Sequence, residues 1–226
     1  MSYMQKSYKY FNMLSVFFVS VLLISNIAST KIVSFGWFSF DGGTLLFPLS
    51  YIFGDILTEV YGYKKEREVI WLGFFSALMM SIIFIIVGKL PPALDWNNQA
   101  AYDAILGVTP RIVVASLVAY TCGSFSNSYI LAKMKIWTNG KYLWTRTIGS
   151  TVVGELVDST LFILIAFLYL MPMSVLITLI ISNYIFKTLV EVIFTPLTYR
   201  IVHFLKKNES EDYYDRDTNF NPFTLK

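Results

Sequence analysis

Six apolar runs divide this chain, and three of them carry carboxylates. They lie at about 11–29, 45–60, 69–87, 112–131, 148–170 and 175–199. Most are near the roughly 20 residues that a helix needs to cross a bilayer. Together with 55% hydrophobic residues and a mean hydropathy of +0.57, they predict an integral membrane protein of the all-α class with six transmembrane helices. The 226 residues divide into a transmembrane domain over 1–207 and a polar tail over 208–226. Lys6 and Lys9 before the first run resemble the start of a signal peptide. No small-residue cleavage site follows, so the run is taken as the first span.

Basic residues orient the spans. With the N-terminus inside, twelve basic residues fall on the inner side (Lys6, Lys9, Lys64, Lys65, Arg67, Lys133, Lys135, Lys141, Arg146, Arg200, Lys206 and Lys207) and three on the outer (Lys31, Lys89 and Arg111). The preference of positive loops for the cytoplasm then puts both termini in the cytoplasm of a multi-pass protein. The loop at 89–110 is the longest connection and is read as an interfacial turn or short helix. The net charge of +3 gives no reason to expect nucleic acid as a partner. One cysteine, Cys122, and one histidine, His203, argue against disulfides, zinc sites and Ser-His catalysis. With no nucleophile–base pair, no metal-ligand motif and no Walker motif, the chain is expected to be neither an enzyme nor an ATPase, and to use no cofactor.

The polar residues inside the runs are the candidates for function, because charge at membrane depth is expensive. Asp55 and Glu59 share one helical face of the second run at i, i+4, with Tyr51 one turn earlier. Glu155 and Asp158 share a face of the fifth, and Asn183, Lys187, Glu191 and Thr195 form a stripe on the sixth. Asn26 and Asn127 lie in the first and fourth. Asp55, Glu155 and Glu191 each stand nine residues from a basic residue (Lys64, Arg146 and Arg200). Each is therefore about 13 Å above the inner basic girdle, which puts three carboxylates from three helices in one layer near the bilayer centre. Only Lys187, and Lys31 at the outer end of the first run, are at hand to balance them. Such a layer suits a ligand rich in N–H donors, a cation or a relayed proton. Structural alternatives stand beside these readings. Lys187 and Glu191 would make an intrahelical ion pair, Glu59 an interfacial contact with the basic loop, and Asn26 and Asn127 interhelical hydrogen bonds. Gly54, Gly149 and Gly154 read as sites of close helix packing.

A short internal repeat appears at an offset of about 100 residues. Ser25-Asn26 recurs as Ser126-Asn127, and Gly54-Asp55-Ile56-Leu57 as Gly154-Glu155-Leu156-Val157. Three spans per half would make the halves two inverted three-helix repeats, a transporter design with its site between the halves.

Five stretches resemble the queuosine precursor transporter family, a vitamin-uptake-type group of six-span bacterial proteins. They are FPLSYIFGDILTEVYGYKKER at 47–67, NSYILAK at 127–133, LWTRTIGSTVVGELVDS at 143–159, KTLVEVIFTPLTYRIV at 187–202 and DYYDRDTNFNPF at 212–223. The resemblance implies uptake across the bacterial inner membrane of a 7-deazaguanine (preQ0, preQ1 or queuine) for tRNA modification. It also implies a fold similar to the substrate-binding components of energy-coupling-factor transporters, working without a dedicated ATPase. The alternative is a binding subunit of an ATP-driven vitamin or nucleobase importer, partnered by an ATPase module or by further copies of itself. The candidate residues suit such a substrate. One carboxylate accepts both the N–H and the NH2 of a 2-amino-pyrimidinone edge, an asparagine serves the carbonyl, and aromatic rings stack on the faces. The expected substrate-binding set is Asp55, Glu59, Glu155, Asp158, Glu191, Lys187, Asn26, Asn127, Tyr51 and Phe47.

Overall fold

The computed structural model describes residues 8–35, 38–107 and 110–224. Lys6, one of the inner basic residues, and Lys226 lie outside them, as does the side chain of Arg111. Helix α1 (Phe11–Ala28) leads into a two-stranded antiparallel hairpin, β1 (Ile32–Phe35) and β2 (Phe38–Asp41), and a 3-10 turn (Gly42–Leu45). Then come α2 (Phe47–Tyr61), α3 (Tyr63–Gly88), the short α4 (Gln99–Leu106), α5 (Pro110–Trp137), α6 (Leu143–Phe167) and α7 (Met173–Glu209). The protein is a helical membrane protein. Helices α1, α3, α6 and α7 are long and apolar enough to cross a bilayer. Their outward faces carry exposed Val16, Phe75, Met79, Ile83, Ile185 and Ile193, the belt that lipid requires.

Helix α2 is the centre of the bundle. At 15 residues it spans about 22 Å, less than a hydrocarbon core. It does not need to meet lipid, because every residue from Gly54 to Tyr61 is buried against α1, α3, α5 and α7. That enclosure explains how a helix with two carboxylates is accommodated. Gly62 alone separates α2 from α3. Its φ of +86° is a conformation that a side chain disfavours, and a Cβ there would strike the Tyr213 ring. The cluster Lys64, Lys65 and Arg67 therefore sits in the first turns of α3, whereas the sequence suggested a loop. Helices α5 and α6 form the closest pair. A Cβ at Gly123 would lie 3.1 Å from the Gly154 carbonyl oxygen, and one at Gly154 the same distance from that of Gly123. The loop at 89–110 holds α4, with the Tyr102 hydroxyl donating to the Phe84 carbonyl.

The segment before α1 and the tail after α7 meet at one end of the bundle, the basic end; the hairpin and α4 mark the other. The Glu209 carboxylate accepts from the backbone N–H groups of Lys9 (3.0 Å) and Tyr10 (2.7 Å), just before α1, where a helix favours negative charge. Beyond α7 the tail folds back across this end. Tyr213 N–H donates to the Val60 carbonyl, and the Asp215 carboxylate accepts from Tyr63 N–H at the start of α3. Arg67 donates to the carbonyls of Asn219 (2.9 Å) and Asn221 (2.8 Å), and the Trp71 indole to that of Pro222 (2.8 Å). Lys133 covers the Phe220 ring at 4.1 Å. Asp212 pairs with Lys135 at 2.6 Å and Lys206 at 2.8 Å. Burial pushes the Asp212 carboxyl up, but hydrogen bonds and charge from the two lysines outweigh it and hold the group below its ordinary range. The tie is therefore complete at neutral pH and is lost as pH falls through that lowered pKa.

Deleting residues 211–226 removes several of these bonds, at about 1 kcal/mol each, and leaves Arg67 without acceptors. The melting temperature in detergent should fall on the order of 10 °C. An unchanged melting curve would show that the tail adds nothing to the fold.

Candidate functional site

Along α2 and α7 the polar residues recur every four positions, so each turn places one more at greater depth. From the hairpin end, α2 presents Phe47, Tyr51, Asp55 and Glu59, and α7 presents Asn183, Lys187, Glu191 and Thr195. The two stripes face a shared axis with α5 and α6.

The upper part of that axis is a cavity of about 650 Å³, within the range of small-molecule sites. It is largely apolar, with a few polar groups converging on it. Asn26, Phe47, Asp158 and Lys187 from the expected set line it, with Ser116 and Asn183 added, and Phe84 and Phe162 supply rings. The turn from α4 (Ala104–Gly107) borders it toward the hairpin end. At its floor Lys187 reaches Asp158 at 2.5 Å and Glu155 at 3.1 Å. The ammonium lies 4.7 Å from the centre of the Phe47 ring. Lys187 thus makes both of its ion pairs across to α6 rather than with Glu191 on its own helix, which replaces the intrahelical pair considered from sequence. Asn26 donates to the Leu22 carbonyl (2.8 Å) and accepts from the Ser116 hydroxyl (3.1 Å), a tie between α1 and α5.

Below the floor are residues that do not line the cavity. Asp55 accepts from the Asn127 amide at 2.6 Å and has its other oxygen unpartnered. Both Glu191 carboxylate oxygens are unpartnered, and the group lies within electrostatic reach of Asp55 and Glu155. The Tyr51 hydroxyl reaches toward the Gly154 carbonyl at 3.5 Å. It sits where a Cβ on Gly123 would collide with it and with Cβ of Asp158.

One further turn down, Glu59 closes the axis. Arg146 grips it with two bonds of 2.7 Å. Lys206 adds a bond of 2.5 Å, and Lys135 stands 3.6 Å away. Glu59 is fully buried, and Arg146 and Lys135 are 1% exposed. Lys135 also donates to the carbonyls of Glu59 (2.5 Å) and Tyr213 (2.7 Å). One carboxylate therefore joins α2, α5, α6 and α7, and Asp212 joins the tail to the same lysines. Paired and fully bonded, such a cluster holds the basic end shut; stripped of one partner it would leave a buried charge uncompensated.

Sequence reasoning missed two kinds of residue. Asn183 and Ser116 line the cavity; the first stood on the Lys187 stripe and was within reach of the i+4 argument, while a lone serine gives no signal. Arg146 and Lys135 were counted as loop charges that orient the chain, and their burial depends on partners far away in sequence. Among the described residues no group of His, Cys, Asp and Glu could hold a metal ion.

Comparison with known proteins gives the chain a family. Residues 41–201 match the family described as "Putative vitamin uptake transporter". A protein of Bacillus subtilis named "Probable queuosine precursor transporter" is 30% identical over 168 residues, 74% of this chain and 73% of its own length. The "Queuosine precursor transporter" of Escherichia coli is 24% identical over 191 residues, 83% of each chain. A relative in Haemophilus influenzae with the same name as the Bacillus protein is 25% identical over 158 residues, 68% of this chain and 63% of its own. No solved structure matches.

The two levels of the axis should differ in access. With Cys122→Ser as background, Asn183→Cys should react readily with a water-soluble thiol reagent, and Thr151→Cys, buried below the floor, should not. Equal labelling of the two would contradict this order of depth.

Proposed function

The chain belongs to the vitamin uptake transporter family, and on that footing we propose that it takes up a queuosine precursor, a 7-deazaguanine, across the bacterial inner membrane. The relatives' names carry the substrate class. The geometry supports it through one observation above the others: a cavity of about 650 Å³ is floored by Lys187 and its two carboxylates, and the Glu59 cluster joins the helices further toward the basic end. A cavity backed by such a cluster suits alternating access, in which a site opens to one side at a time.

In this reading α1, α2, α3, α5, α6 and α7 are the six spans, and the basic end faces the cytoplasm with both termini. The substrate lies in the cavity with its 2-amino-pyrimidinone edge on Asp158, whose two oxygens accept the paired N–H donors. Lys187 fixes Asp158 in place and supplies a donor to the ring carbonyl; Asn183 completes the edge. Phe47, Phe84 and Phe162 cover the ring faces. Glu155, Glu191 and Asp55 form the next polar step along the axis, which the substrate meets once the halves rock and the Glu59 cluster parts. Asn26 and Asn127 hold helices together and frame that path, and Tyr51 stands between the two levels.

In cells that depend on imported precursor, uptake of labelled preQ0 should fall at least about tenfold with Asp158→Asn, the effect of losing a charge-assisted pair of hydrogen bonds, at unchanged protein level. Undiminished uptake would remove Asp158 from the site. Uptake by the purified protein in vesicles, with no second component present, would exclude an obligatory ATPase module.

A further inference from the structure

Glu66 is a buried carboxylate that the substrate site leaves unused. It stands in the first turn of α3, 1% exposed, and its Oε2 has no partner. The basic residues around it in sequence do not serve it. Lys65 pairs with Glu68 at 2.7 Å, and Arg67 turns to the tail carbonyls of Asn219 and Asn221. The carboxyl instead enters a narrow pocket with Phe18, Tyr51, Gly54, Asn127 and Ser128. Gly54 makes the room for it: a Cβ there would lie 2.9 Å from Glu66 Oε1. Two more buried oxygens in this pocket lack partners, Asn127 Oδ1 and Ser128 Oγ. The Asn127 amide nitrogen is held by Asp55, so its oxygen is left for the Glu66 side.

The surroundings identify what such a pocket takes. From α2 the facing titratable groups are Asp55 and Tyr51, and from α5 Tyr120; α1 presents only Phe18. On α3 itself Tyr63 bonds to the tail, where Asp215 meets its N–H. No cation lies within ion-pair distance of Glu66 among the described residues. The pocket has no room for a water molecule, so a metal ion with its oxygen shell does not fit either. A dry, buried carboxylate without a counter-charge is neutral only when it carries a proton.

We propose that Glu66 is the proton-binding residue that couples substrate uptake to a proton gradient, with Asn127 linking it to Asp55. This rests on the transport reading above. In each cycle the Glu66 carboxylate takes one proton from the outer solution and becomes a carboxylic acid. It returns that proton to the cytoplasm, and becomes a carboxylate again, once the basic end has opened. The closed, dry pocket prevents exchange between those events, so the proton does not leak without substrate. Tyr51 connects the two sites: its ring walls the Glu66 pocket, and its hydroxyl lies against Gly123 and Gly154 beside Asp158. A substrate that moves Asp158 therefore moves the wall of the proton site.

The test uses purified protein in vesicles with the membrane potential clamped and labelled preQ0 as the probe. One unit of inward pH gradient should drive wild-type accumulation up to roughly tenfold, the limit for one proton per neutral substrate. A pH dye trapped in wild-type vesicles should show acidification when unlabelled preQ0 is added outside. Glu66→Gln should lose the gradient response while still exchanging labelled for unlabelled preQ0, since Glu66 does not line the substrate cavity. Wild-type exchange with neither accumulation nor acidification overturns the proton proposal and leaves the transport reading standing. A Glu66→Gln protein that still responds to the gradient overturns the assignment to Glu66. Absence of wild-type exchange removes the transport reading and this proposal together.

Discussion

The cost of burying a carboxylate governs this molecule. Asp55, Glu59, Glu66, Glu155, Asp158 and Glu191 are all nearly inaccessible to solvent, and an unpaired ion in a low-dielectric interior is strongly disfavoured. The chain answers in three ways. Glu59 is given a full set of cations, Asp158 and Glu155 share Lys187, and Asp55, Glu66 and Glu191 have no cation within ion-pair distance among the described residues. These three solutions occupy different places: the closed end, the cavity floor, and the region between them.

That division gives a mechanical reading of the axis. The fully compensated cluster at Glu59 ties four helices and the tail at the basic end. The shared cation at the floor is less committed, because Lys187 serves two carboxylates and borders open space. A ligand with N–H donors competes there on favourable terms, since it brings the partners the site lacks. Groups without counter-charges are where protons and displaced substrate have consequences.

Much of this was legible in the sequence. The apolar runs located the helices because lipid permits little else, and the i+4 stripes on α2 and α7 survive as the two polar faces of the axis. The hairpin at 32–41 was not foreseen, since it falls in a connection with no clear alternation. The start of α3 was misjudged because Lys64, Lys65 and Arg67 read as a loop; one glycine with a left-handed backbone made the turn. Glu66 was hidden for the same reason, lying in a basic cluster that looked solvated. The tail lacks the composition of a domain, and its order comes from the polar groups of α3 that it satisfies, partners some 150 positions away in sequence. Long-range pairing of this kind leaves no periodic trace.

The most direct test of the site is a structure of the protein with preQ0 bound. The base should lie in the cavity, with its 2-amino-pyrimidinone edge within hydrogen-bond distance of Asp158 and its ring beside Phe47. A base bound elsewhere, or one turned so that its cyano group meets Asp158, would contradict the assignment of the cavity as the substrate site.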